Sequence, residues 1–102
     1  MRINKKVIES VWIDYKEGVR LKLRPTPLSI VFNNNNDISS IAKNRFVYAI
    51  EDWEGFEDTE GNVLVCNDDN KYFVFNYLPE ITTFVVNYLD KLVVVQEEEI
   101  KN

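Results

Sequence analysis

Between Lys6 and Arg24 apolar and polar residues alternate in twos. Val7, Glu9, Val11, Ile13 and Tyr15 share one strand face, and Val19, Leu21 and Leu23 alternate with Arg20, Lys22 and Arg24. That is the period of half-buried strands. Lys16-Glu17-Gly18 separates the two runs, and Gly18 can adopt the positive φ of a tight turn. The pattern predicts a β-hairpin over residues 6–24. Pro25 and Pro27 stop its second strand, because proline offers the ladder no N–H. Residues 25–45 are irregular. Leu28 to Phe32 suits either a short strand or one helical turn, and Asn33 to Asn36 is a polar break. Asp37 reads as the N-cap of a short helix from Ile38 to about Asn44.

A second strand pair is expected over residues 46–66. Phe46, Tyr48 and Ile50 alternate with Val47, Ala49 and Glu51, the run continues to Trp53, and Val63 to Cys66 returns after a turn at Asp58 to Asn62. Gly55 and Gly61 stand where a bulge or a positive φ helps that turn. Two helices follow. Asn67 is the expected N-cap of the first, residues 68–77, with Asp68 and Asp69 in its positive first turn. Pro79 opens the second, residues 79–96. Ile81, Phe84, Val85, Tyr88, Leu89, Leu92 and Gln96 form its stripe, and Glu97 to Glu99 are expected to fray. The fold class is therefore α+β: a single domain over residues 1–102, with a small antiparallel sheet of about four strands in two hairpins, packed with two C-terminal helices. Val11, Ile13, Leu21, Leu23, Ile50, Trp53, Phe84, Tyr88 and Leu89 are expected in the core.

Composition narrows the chemistry. A hydrophobic fraction of 45% in 102 residues is enough for one core. Histidine is absent, which removes Ser–His and Cys–His catalysis and the commonest metal ligand. Cys66 is the one cysteine, so neither an internal disulfide nor a structural zinc site is possible. Glycines at 18, 55 and 61 are too far apart for a phosphate loop. The carboxylates of Glu51, Asp52, Glu54, Glu57, Asp58 and Glu60 crowd together. As a Ca²⁺ loop, however, they would place Phe56 at the first position and Asn67 at the twelfth, where acids are needed. A solvated acidic turn is expected, with no cofactor and no catalysis. Cys66 has no cationic neighbour in sequence and reads as a partly buried structural thiol.

The formal net charge is −5, but it is unevenly spread. Residues 1–50 hold nine Lys and Arg against four Asp and Glu, and residues 51–102 hold three against thirteen. Two solvated faces, head-to-tail association of copies, or docking on a basic partner all fit this asymmetry. The acidic balance argues against nucleic-acid binding, and Trp53, Phe56, Tyr72, Phe73, Phe75 and Tyr77 are expected as core and interface residues. Ile81 to Val95 contains Asn87, Asp90 and Lys91 and is too short and too charged to span a membrane. No signal peptide is visible in residues 1–15, and the lone cysteine favours a reducing compartment, so the cytoplasm is expected.

The stretch Asp52-Trp53-Glu54-Gly55, followed by an acidic turn, Gly61-Asn62-Val63-Leu64, an N-capped helix and a proline-started helix, resembles a group of small phage tail assembly proteins. These are commonly described as tail assembly chaperones. The hairpin ending Gly18-Val19-Arg20-Leu21-Lys22-Leu23-Arg24-Pro25 resembles the opening of the same group. The resemblance implies a non-enzymatic role in building a phage or prophage tail in the bacterial cytoplasm, by holding a tape-measure or tail-tube protein. A head–tail connector or tail-completion adaptor is a near neighbour of that role, and an acidic immunity or antitoxin-type inhibitor is a rival from another class. Trp53 and its glycines read as structural. The expected partner surface is the face of the last helix carrying Val86, Val93 and Val94 beside Glu97, Glu98 and Glu99, binding a tail protein or a second copy. Packing of Val86 and Val94 under Leu28 to Phe32 is the plain alternative. The basic strand face of Arg20, Lys22 and Arg24 is the other candidate.

Overall fold

The computed structural model describes the backbone of residues 5–31 and 37–100, and the side chains of residue 6, residues 8–30 and residues 37–92. Strands β1 (Val11–Asp14) and β2 (Arg20–Leu23) form the predicted hairpin. Leu21 faces Ile13 and Lys22 faces Trp12 across it. Glu17 and Gly18 turn the chain at φ 37° and 83°, and Tyr15 N–H closes on Val19 O at 2.9 Å. The hairpin is shorter than the alternation implies. Lys5–Ile8 is a 3-10 turn, with Glu9 N–H on Lys6 O, so Val7 and Glu9 precede the strand. Val11 starts the edge strand of the sheet, and it stays 47% exposed where a core residue was expected.

The largest departure from the sequence pattern lies at residues 46–49. Leu28–Val31 is one helical turn, α1. Helix α2 then runs from Ile38 through Ala49, absorbing the first half of the expected third strand. Phe46, Tyr48 and Ile50 alternate, but Phe46, Ala49 and Ile50 also stand at i, i+3 and i+4, and these three are the buried ones. Asp37 has the extended backbone of an N-cap without a side-chain cap bond. Strand β3 (Ile50–Glu54) pairs antiparallel with β2, giving a three-stranded sheet in the order β1-β2-β3 among the described residues. The expected fourth strand reduces to one bridge, Glu57 to Val63. Its neighbours' carbonyls go elsewhere: Leu64 O accepts from Trp53 Nε1 at 2.7 Å, and Val65 O accepts from Asn70 Nδ2 at 2.7 Å.

Helix α3 (Asp68–Tyr77) starts at Asn67, whose side chain accepts from Asn70 N–H at 2.9 Å. Helix α4 begins at Pro79 and continues through Glu97 to Glu99 as far as Ile100, past the point where fraying was expected. The good helix propensity of Gln and Glu offsets their unfavourable position. Ile81, Val85 and Leu89 of α4 are buried, and Phe84, Tyr88 and Leu92 pack beside them. With Leu21, Leu23, Phe46, Ala49, Ile50, Trp53 and Val74 they form one core between the inner sheet face and the helices. Ile13 completes it from the edge, half-buried.

Candidate functional site

The basic strand face is closed on itself. Register shifts between Lys22 and Leu23, so that Lys22 faces Asp52 and Leu23 faces Ile50. The extra residue, Glu51, is thereby turned to the outer face beside Asp52. Lys22 Nζ lies 2.9 Å and Arg24 Nη1 3.4 Å from the Glu51 carboxylate, which also accepts from Ser10 Oγ at 3.0 Å. The Lys22 ammonium and the Ser10 hydroxyl hold the Glu51 carboxyl below its ordinary value. Arg20 pairs with Asp14 at 3.2 Å. Arg20 and Lys22 stand over the Trp12 ring at 5.1 and 5.9 Å, and Arg24 lies over Tyr48 at 3.9 Å. Glu54 faces Arg20 across the ladder.

Lys71, which sequence reasoning did not single out, is the buried charged side chain of the described residues. Its Nζ donates to Val47 O at 3.2 Å. The other last carbonyls of α2 are also satisfied. Phe46 O accepts from Ile50 N–H, Tyr48 O from Arg24 Nε at 2.9 Å, and Ala49 O from Arg24 N–H at 2.9 Å. Two cations thus sit at the negative end of α2. The cavity of about 280 Å³ between them is lined also by Asn44, Tyr48 and Asp68, and its two cations are already bonded to backbone carbonyls.

The Asp52-Trp53-Glu54-Gly55 stretch builds a wall. Asp52 Oδ1 accepts from Trp53 N–H at 2.8 Å. Trp53 is buried and meets Phe56 edge-on at 4.8 Å. Gly55 has φ 92°, and a Cβ there would stand 2.4 Å from Gly18 O, so the bend packs against the hairpin turn. Asp58 then organises an arch: its Oδ1 accepts from Glu60 N–H at 2.8 Å and Asn62 N–H at 3.0 Å. These backbone donors hold its carboxyl below the ordinary value. Gly61, at φ 85°, closes the arch, and Leu64 N–H returns to Phe56 O at 2.9 Å.

Between this arch and α3 runs an apolar groove of about 590 Å³. Phe56, Leu64, Phe73, Val74 and Leu78 line it, with Glu57, Asp58 and Asp69 along its edge and no Lys or Arg among its lining residues. Phe73 is 55% and Tyr77 68% exposed, their rings 5.0 Å apart along the helix. None of the three edge carboxylates joins an ion pair within the described residues. Five of the described cations pair elsewhere: Lys16 with Glu80, Arg45 with Asp90, and Arg20, Lys22 and Arg24 with Asp14 and Glu51. A trace of this groove is present in the sequence of α3. Tyr72, Phe73, Val74, Phe75 and Tyr77 surround the helix, and a helix packed on one side cannot bury them all.

Of the expected partner surface on α4, Val86 is half-buried. The side chains of Val93, Val94, Glu97, Glu98 and Glu99 lie outside the described residues. Cys66 is half-buried against the core, and burial pushes its thiol up, away from the reactive thiolate. Among the described residues no group of acids and cysteine is placed to hold a metal ion, and no helix is long and apolar enough to cross a membrane. No protein-family model matches the chain, and neither a curated protein nor a solved structure matches it.

Proposed function

We propose that this chain is a non-enzymatic protein-binding factor of phage or prophage tail assembly, acting in the cytoplasm of the bacterial host on a tail-tube or tape-measure protein. The observation that carries the binding half of this reading is the groove beside α3. It leaves Phe73 and Leu78 in water, with Tyr77 exposed beside Phe73, edged by carboxylates that no described cation pairs with. Clustered apolar surface of this kind marks interfaces, and the charge around it selects and steers the partner. The tail-assembly half rests on the resemblance carried by Asp52-Trp53-Glu54-Gly55 and the acidic turn after it. Trp53, Gly55 and Gly61 support it physically, since the Trp53 indole ties down Leu64 O and the two glycines turn the chain on either side of the arch. A second reading, an acidic inhibitor that caps a basic active site, draws on the same carboxylates.

Co-expression with the tape-measure and tail-tube proteins of the same phage tests the proposal. A stable complex with one of them on size exclusion, with less aggregation of that partner, is the expected result. Failure to bind either, together with inhibition of a basic toxin encoded beside the chain, would turn the reading to the inhibitor.

A further inference from the structure

We infer that the groove between the 56–64 arch and α3 takes an amphipathic helix with basic flanks, an assignment that rests on the reading of the chain as a protein-binding factor. The argument starts from the backbone of the groove. A peptide can dock by adding a strand or by burying side chains. Strand addition needs a row of free N–H and C=O groups, and the arch has spent about half of its own. The N–H groups of Asp58, Glu60, Gly61, Asn62 and Leu64 all donate within the arch. On the return limb, Leu64 O is held by the Trp53 indole, and Val65 O accepts from both Asn67 N–H and Asn70 Nδ2. The opposite wall is a helix, whose backbone is internally bonded. The groove therefore offers an incoming chain side chains and, on one wall only, scattered backbone groups. The segment suited to it satisfies its own backbone and presents a stripe of apolar residues, which is a helix read at i, i+3, i+4 and i+7.

Charge fixes the rest of the occupant. Glu57 and Asp58 edge the arch side, and Asp69 edges the α3 side, so carboxylates flank the apolar floor on both walls. Asp58 is held ionised by two backbone N–H groups, which fix its position as well as its charge. An acidic or neutral helix would bring like charge, or none, to these edges. A helix with Lys or Arg beside its apolar stripe meets them on both sides. A second copy of this chain fits less well, because its described basic face is already paired with Asp14 and Glu51.

The probe is a synthetic helical peptide of about 18 residues with Leu at the stripe positions and Lys on the flanks. Its twin carries Glu in place of Lys. Fluorescence anisotropy with the full chain should show the basic peptide binding at least about ten-fold tighter than the acidic twin at low salt, with the gap narrowing as salt rises. Phe73→Ser should weaken the basic peptide by about ten-fold or more. Glu57→Gln with Asp69→Asn should bring the twins together, and circular dichroism should show both variants folded. The inference is overturned if the twins bind alike, if neither binds, if Phe73→Ser changes nothing, or if Trp12→Ser is the variant that abolishes binding. It is also overturned if self-association occupies the groove and Phe73→Ser dissolves it. A tail-protein complex indifferent to Phe73→Ser would remove the groove and keep the tail-assembly reading. Phe73-dependent peptide binding without any tail-protein complex would do the reverse.

Discussion

The outer sheet face and the groove beside α3 both combine aromatic rings with charge, and they dispose of that charge in opposite ways. On the sheet, Arg20, Lys22 and Arg24 meet Asp14 and Glu51, and the rings of Trp12 and Tyr48 lie under the cations. In the groove, Glu57, Asp58 and Asp69 meet no cation among the described residues, and Phe73 and Leu78 lie partly bare. Exposed ion pairs contribute only about 0–1 kcal/mol each, so the sheet pairs do little for stability. Their consequence is that an incoming carboxylate must compete with Glu51. The distinction between a candidate surface and a satisfied one therefore lies in pairing, which the charge of each half of the chain does not reveal.

The comparison can be broken first at the bend that leads from the sheet into the arch. Gly55→Ala puts a Cβ into the Gly18 carbonyl at a positive φ. It should cost about 3 kcal/mol or more in denaturant unfolding and remove peptide binding with it. A loss below about 1 kcal/mol would show that the hairpin turn moves aside.

Next in size is Lys71→Met, which keeps the buried stem and orphans the Val47 carbonyl. Urea titration should show a loss of about 1–3 kcal/mol, with binding at the groove retained in the folded fraction. An unchanged midpoint would mean that water replaces the ammonium.

Glu51→Gln is expected to act more gently and only over part of the pH range. The folded carboxyl is held below its ordinary value near 4.5. Its contribution is therefore fully present above that value and is lost as pH falls through the lower folded one. The variant should be less stable than the parent at neutral pH, with the two melting curves converging in acid. Curves that keep a constant separation down to low pH would show that the carboxylate does not hold the face together.

Phe73→Ser should have the smallest effect on folding. More than half of the Phe73 side chain is already in water, so its unfolding midpoint should move by no more than about 0.5 kcal/mol. Combined with lost binding, that result would separate the groove from the sheet most cleanly. A loss of about 2 kcal/mol or more would make Phe73 a core residue after all.

Much of the frame is legible in the chain. Asn67 marks the start of α3, Pro79 that of α4, and the stripe Ile81, Val85 and Leu89 names the buried face. Alternation around Gly18 yields the hairpin, though not its ends. At Phe46 to Ala49 the alternation misleads, because Phe46, Ala49 and Ile50 serve a helix as well as a strand, whereas the strand expected to reach Trp53 is present from Ile50. The groove was largely hidden for another reason: its walls, Phe56 and Leu64 on the arch and Phe73 and Leu78 at α3, become neighbours only once Asp58 has folded the arch. Trp53 is buried in the core and Gly55 packs on the hairpin turn.

The way α2 ends has a consequence for how the chain folds. A helix of 12 residues is marginal in isolation, and the last carbonyls of this one are closed by Arg24 from the hairpin side and Lys71 from α3. Neither donor is local in the chain, so α2 gains its full stability only after two distant segments have arrived. The helix, hairpin and α3 should accordingly form one cooperative unit. Amide exchange in α2 and α3 is expected to proceed through a shared opening, and an excised 37–50 peptide is expected to stay largely unstructured in water.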